Sequence, residues 1–364
     1  MADLKRARIQ DVAEKAGVSM MTVSRVLNQD KKVSDKTREK VMAVVEQLNY
    51  RPNVSARRLA STKSFFLGLL YDNPSDSYIS QFLLAALKKC RALGYHLVVD
   101  EAHSDIDKTI ESVKQLIDVT QVDGMILLPP MCDNEQVLDV LTKAQVPFVR
   151  ITPDTKLNRS PYICMDDYQA AFDVTEHLIN QGHSKIAHII GDTKQGVSRL
   201  RYQGYLDALR SNKIITPPEY IEQGSFTYQS GMEAAMNLLS LDDKPTAIFA
   251  ANDDMAAAVI SIAQKQGINI PSELSVVGFD DTQLATIVWP NISTVKQPIN
   301  EMAELAITLL ASGQYNDLSN VKSVDLRHIL DFELIEREWM VEGQKTRPKS
   351  SLQHTAFLTF VRKL

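Results

Sequence analysis

A chain of 364 residues, 44% hydrophobic and 23% charged, has the composition of a globular protein of two or three domains with large apolar cores. Its net charge of −5 hides a polarity: residues 1–64 hold 14 Lys and Arg against 7 Asp and Glu, a balance of +7, and the remainder holds 26 against 38, a balance of −12. The basic end is where nucleic acid should bind, and with no run of 18 apolar residues and no signal-peptide pattern, a membrane role is excluded and a cytoplasmic location expected.

Ile9, Val12, Ala13 and Ala16 recur at helical spacing, Gly17 stops that helix, and Val18, Val23, Val26 and Leu27 begin a second stripe. Ser19 stands at an N-cap position, so a second helix starts near Met20 after a tight turn. A helix fits the major groove of B-DNA, and the first turn of the second helix would carry the base-reading side chains. Met20, Met21, Thr22 and Arg25 are the candidates. Arg25 suits a guanine edge and the methionines suit thymine methyls, while Thr22 or Ser24 suits phosphate. A plain helical hairpin inside a larger domain is the alternative. Ser34 or Asp35 caps a third helix from about 36 to 48, whose Val41, Val44, Val45 and Leu48 face the first two. Three such helices bury only a small core. Residues 51–64 are polar and basic, with a helical turn or two capped by Asn53 that is too short to stand alone in water.

Beyond residue 64, short apolar runs at 65–70, 95–99, 125–128 and 148–151 alternate with amphipathic segments near 79–93, 107–120 and 134–144. A second set follows: helical patterns near 173–180, 201–210, 230–239 and 254–266, and apolar runs at 185–190, 246–250 and 274–277. This βαβα order predicts an α/β architecture of two doubly wound subdomains with parallel sheets. Ligands of such sheets sit outside the carboxyl ends of the strands, so two facing sheets make a cleft. Asp280 and Asn252 end strands of the second subdomain.

The strings Val12-Ala13, Ala16-Gly17-Val18-Ser19 and Thr22-Val23-Ser24-Arg25-Val26-Leu27-Asn28 resemble the headpiece of the lactose-repressor family of bacterial transcription regulators. The likeness continues through residues 33–41 and 48–53, and more weakly to about Glu338. It implies that Ser19, Asn28, Tyr50, Asn53 and Ala56 join the DNA-binding set, and that the hinge at 51–64 folds when two subunits meet on an operator. Leu59 matches the leucine that wedges into the minor groove there, with Arg57 and Arg58 neutralising phosphates. The body resembles the periplasmic sugar-binding fold that this family carries as its sensor.

The resemblance places Arg201 as the arginine gripping an effector and Phe226 as an aromatic ring against it, beside Asn252 and Asp280. Asp72, Asn73, Ser77 and Tyr78 from the loop after the first strand, together with Arg150 and Gln297, complete the expected effector set. Asp72 to Tyr78 depart from the family's usual opening of the cleft, and Asp167 and Ala170 stand where asparagine and glycine are common.

The expected domains are a headpiece at 1–50, a hinge at 51–64, a first subdomain at 65–163 with about 294–322, and a second at 164–293 with about 323–340. Residues 341–364 read as a disordered tail without heptads. No nucleophile elbow, phosphate loop or metal-ligand pattern appears, so neither catalysis nor a cofactor is expected; His183 reads as a helix cap rather than a metal ligand. Cys90, Cys132 and Cys164 lie far apart, as incidental thiols do. The whole implies a homodimeric repressor of carbohydrate-utilisation genes that binds a pseudo-palindromic operator under allosteric control by a small sugar-like effector. A purine or sugar phosphate acting as corepressor is the alternative, and a sugar-binding protein outside transcription a lesser one. Arg150 and Arg201 together fit an acidic sugar as well as a neutral one.

Overall fold

A computed structural model describes residues 7–27, 32–48, 50, 63–315 and 326–337. The N-terminal unit is three helices, α1 (Ile9–Ala16), α2 (Met20–Leu27) and α3 (Asp35–Gln47). Gly17 ends α1 with φ at 58°, a left-handed conformation that glycine adopts without strain. Ser19 Oγ accepts from the Thr22 amide at 3.1 Å and so caps α2. Of the two candidate caps for α3 it is Ser34 that accepts, from the Thr37 amide. Among the described residues, Val12, Ala13, Ala16, Val23, Val26, Val41 and Tyr50 form the buried core of this unit, as small as the sequence implied.

The body holds two six-stranded sheets. The first contains β1 (Phe66–Tyr71), β2 (His96–Glu101), β3 (Met125–Leu127), β4 (Phe148–Ile151), β5 (Tyr162–Cys164) and, from much later in the chain, β11 (Arg327–Ile329). Every pairing in it is parallel, in the order β11-β5-β4-β3-β1-β2. Period-two alternation divides its side chains: Leu67 and Leu69 face α4 (Asp76–Leu93) and α12 (Ile299–Ser312). Leu70 packs on the other face with α5 (Ile106–Gln115) and α6 (Glu135–Lys143).

The second sheet contains β6 (Ile186–Ile190), β7 (Ile221–Gln223), β8 (Ala247–Ala250), β9 (Ser275–Asp280), β10 (Ser293–Lys296) and β12 (Glu333–Ile335). Its order is β12-β10-β9-β8-β6-β7, with only the β10–β12 pairing antiparallel. Its helices are α7 (Asp167–Asn180), α8 (Gly196–Ser211), α9 (Tyr228–Ser240), α10 (Asp253–Lys265) and the single turn α11 (Leu284–Ile287).

The chain passes between the sheets three times, and two passes differ from the expected boundaries. Residues 293–296 pair with β9 and stay in the second sheet, whereas the sequence reading places 294–322 with the first subdomain. Residues 327–329 pair with β5 in the first sheet, whereas the sequence reading places 323–340 with the second subdomain. The sequence marks neither pass, because strands of three or four residues carry too little periodicity to show which sheet they join. Helices α4, α7 and α8 also begin several residues before their apolar patterns, under caps at Ser75, Asp166 and Gln195.

Candidate functional site

Two surfaces combine the residues singled out above. On α2, Val23 and Val26 are buried, which turns Met20 and Met21 outward at 53% and 64% exposure. Large apolar side chains so exposed at a helix N-terminus are what reading thymine methyls in a groove requires. Arg25 is exposed one turn on, and Thr22 and Ser24 are half-buried on its flanks. Tyr50, expected among the DNA contacts, packs into the headpiece core against the three helices. Asn28, Asn53, Ala56, Arg57, Arg58 and Leu59 lie outside the described residues, as does 341–364.

The second surface is a nearly closed cavity of about 30 Å³ between the two sheets, at the carboxyl ends of their strands. Asn73, Ser75, Tyr78, Pro129 and Thr152 line it from the first subdomain; Gln195, Val197, Arg201, Phe226, Asn252, Asp280 and Gln297 line it from the second. That is room for roughly two waters, so a sugar could enter only if the two subdomains move apart. Bonds beside it join the two subdomains: Ser75 Oγ donates to Asp254 Oδ2 at 2.7 Å, and Arg199 Nη2 meets Asp154 Oδ1 at 2.7 Å.

Arg201, on α8, is 3% exposed and fully engaged. Its Nε donates to Asp167 Oδ1 at 2.9 Å, its Nη2 lies 2.8 Å from the same oxygen, and its Nη1 donates to the Ala251 carbonyl at 2.6 Å. Asp280 Oδ1 stands 4.0 Å from Nη1, and the guanidinium carbon sits 3.6 Å from the Phe279 ring centroid. Burial raises the Asp167 carboxyl above its ordinary range, against the pull of Arg201. Burial also pushes Asp280 well up, opposed by Arg201 and reinforced by Asp253.

Phe226 holds a positive φ of 62° and packs on Gly191, where an added Cβ would lie 2.1 Å from its ring. Asn252 donates to the Phe226 carbonyl at 2.9 Å while its oxygen caps α10 through the Met255 amide. Its amide therefore shapes the wall and holds Phe226. Gln297 donates to Asp280 Oδ1.

Seven of the ten expected effector residues thus meet in one cavity: Asn73, Tyr78, Arg201, Phe226, Asn252, Asp280 and Gln297. Three do not. Arg150 is wholly buried, and its guanidinium donates to Ser160 Oγ and to the carbonyls of Thr155, Lys156 and Cys132. It ties down the 152–160 loop instead of facing a ligand. Asp72 is exposed and outside the cavity lining, and Ser77 lines a separate outer groove between α4 and residues 281–287.

Sequence reasoning missed Ser75, Pro129, Thr152, Gln195 and Val197 in the lining, and Asp167 behind it. Gln195 is the most informative of these. It is 4% exposed, its side-chain amide bonds to no described residue, and its Nε2 is fully buried. Its position just after β6, at the start of a helix, was the available signal.

A helix-turn-helix unit ahead of two facing α/β subdomains with a polar cleft defines a DNA-binding protein with a small-molecule sensor body. Residues 8–53 match the bacterial regulatory proteins of the lacI family, and residues 175–338 match the periplasmic binding protein-like domain. Catabolite control protein A of Priestia megaterium is 35% identical over 325 residues, which is 89% of this chain and 97% of that protein. The structure of the lac repressor dimer bound to operator and the anti-inducer ONPF superposes with a TM-score of 0.69 at 30% identity, covering 92% of this chain and 99% of that one. The complex of transcriptional regulator CelR with cellobiose gives 0.68 at 27% identity, covering 92% and 100%. The chain belongs to the lacI family of bacterial regulatory proteins and is a DNA-binding transcriptional repressor.

Proposed function

We propose that this repressor acts as a homodimer on a pseudo-palindromic operator, and that a small neutral sugar in the inter-subdomain cleft controls it. One observation carries the effector class: the only cation lining the cavity among the described residues is Arg201, and Asp167 already pairs with it. Arg150, the second cation a phosphate or carboxylate would need, is committed to loop carbonyls. An anionic ligand would meet the Asp280 carboxyl with no free counter-charge. A polyhydroxyl ligand finds hydroxyl, amide and carboxyl partners and the aromatic wall of Phe226. The related CelR–cellobiose complex supports the same class.

The dimer reading rests on an apolar face. Leu84 and Leu87 on α4 are 69% and 46% exposed, and Ile287 and Trp289 beyond the groove are 66% and 71% exposed. One headpiece reads few base pairs, and two-fold pairing supplies a second half-site. Operator binding takes place in the cytoplasm. Coupling needs only that the effector prefer one arrangement of the subdomains, since that preference changes the spacing of the two headpieces.

Selection from a random duplex pool tests this. The wild type should enrich an inverted repeat, and Leu84→Glu should sediment as a monomer and enrich no more than a single half-site. Enrichment of the same inverted repeat by a monomeric variant would reject the dimer reading, and no enrichment by the wild type would reject operator binding.

A further inference from the structure

Asp280 projects into the cleft from a turn that is conformationally unusual. Its φ is 116° and that of Asp281 is 55°, so two successive residues with β-carbons occupy the left-handed region. Such a conformation persists only where the surroundings hold it. The surroundings here converge on Asp253, the first residue of α10, which is fully buried and outside the cavity lining.

Asp253 Oδ2 accepts from the Thr282 amide at 2.8 Å and from Thr282 Oγ1 at 3.1 Å. Its Oδ1 accepts from Thr294 Oγ1 at 2.7 Å, and Thr294 Oγ1 accepts from the Asp281 amide at 3.4 Å. One carboxyl thus joins a helix start, the turn after β9 and strand β10. Space is made for it at Gly278, where an added Cβ would lie 2.4 Å from Asp253 Oδ1.

We propose that Asp253 is a positioning residue for the effector: its carboxyl locks the 280–282 turn and so aims Asp280 into the cleft. The proposal rests on the reading of that cleft as the effector site. A purely structural acid would leave the turn indifferent to its removal, because Asp280 is also held by Gln297. An asparagine keeps one oxygen for Thr282 and should preserve the turn.

The test uses the full chain in three variants, Asp253→Ala, Asp253→Asn and Thr294→Val. Ligand-free crystal structures of the alanine and valine variants should show Asp280 displaced from Gln297 and its φ moved out of the positive region, with asparagine retaining both. Thermal-shift titrations with D-glucose, D-galactose, D-ribose and D-fructose should then show any affinity of the wild type reduced at least tenfold by alanine and within threefold for asparagine. A native turn in both the alanine and valine variants overturns the proposal, as does an alanine variant that keeps full sugar affinity. If alanine fails to fold, valine decides the crystallographic arm. Should the wild type respond to none of the four sugars, the sugar reading loses its support while the turn geometry still decides the role of Asp253.

Discussion

Arg201→Ala is expected to lower the stability of the repressor by about 3–5 kcal/mol and to abolish its effector response. The size follows from burial. An exposed pair is worth about 0–1 kcal/mol, but Arg201 and Asp167 are 3% and 2% exposed, and truncation leaves a buried acid without its counter-charge. The Ala251 carbonyl loses its donor, and the Phe279 ring loses the guanidinium above it. Lysine cannot restore this, because one ammonium does not reproduce the fork that reaches Asp167 and Ala251 together. Urea unfolding measures the loss. A deficit under 1 kcal/mol, or a normal effector response, would mean that the pair is not the anchor of the cleft.

Gln195→Leu is expected to do the opposite to stability while still damaging function. A buried amide without a partner costs about 1–3 kcal/mol, and leucine fills a similar volume without that cost. The ligand-free melting temperature should therefore hold or rise, whereas affinity for the effector falls by at least tenfold because a buried, uncommitted amide of the wall is gone. Such opposition between stability and binding marks a group kept for a ligand. Thermal melts with and without ligand check both halves. A variant less stable than the wild type that still binds normally would assign Gln195 to the scaffold.

The headpiece was legible almost residue by residue, because Ser19, Gly17 and the valine stripe are local signals that the fold obeys locally. The sheets were legible as apolar runs, apart from the short strands β5, β7, β10, β11 and β12. The effector residues were reached through strand ends and resemblance, and the failures have a common physical cause. Arg150 reads like Arg201 in sequence, but only the fold shows that loop carbonyls surround the one and an acid and an aromatic ring the other. Gln195, Ser75 and Asp167 sit at or next to helix caps, where apolar periodicity has not yet begun. Asp253 is silent for another reason: its partners Thr282 and Thr294 are 29 and 41 residues away.

The most direct test of the account is fluorescence anisotropy of the dimer on its selected operator, titrated with neutral monosaccharides, their phosphates and nucleobases. The cleft predicts that a neutral sugar shifts operator affinity by about 5–150-fold, in either direction, and that its phosphate does not. A response confined to a phosphorylated sugar or a nucleobase would contradict it.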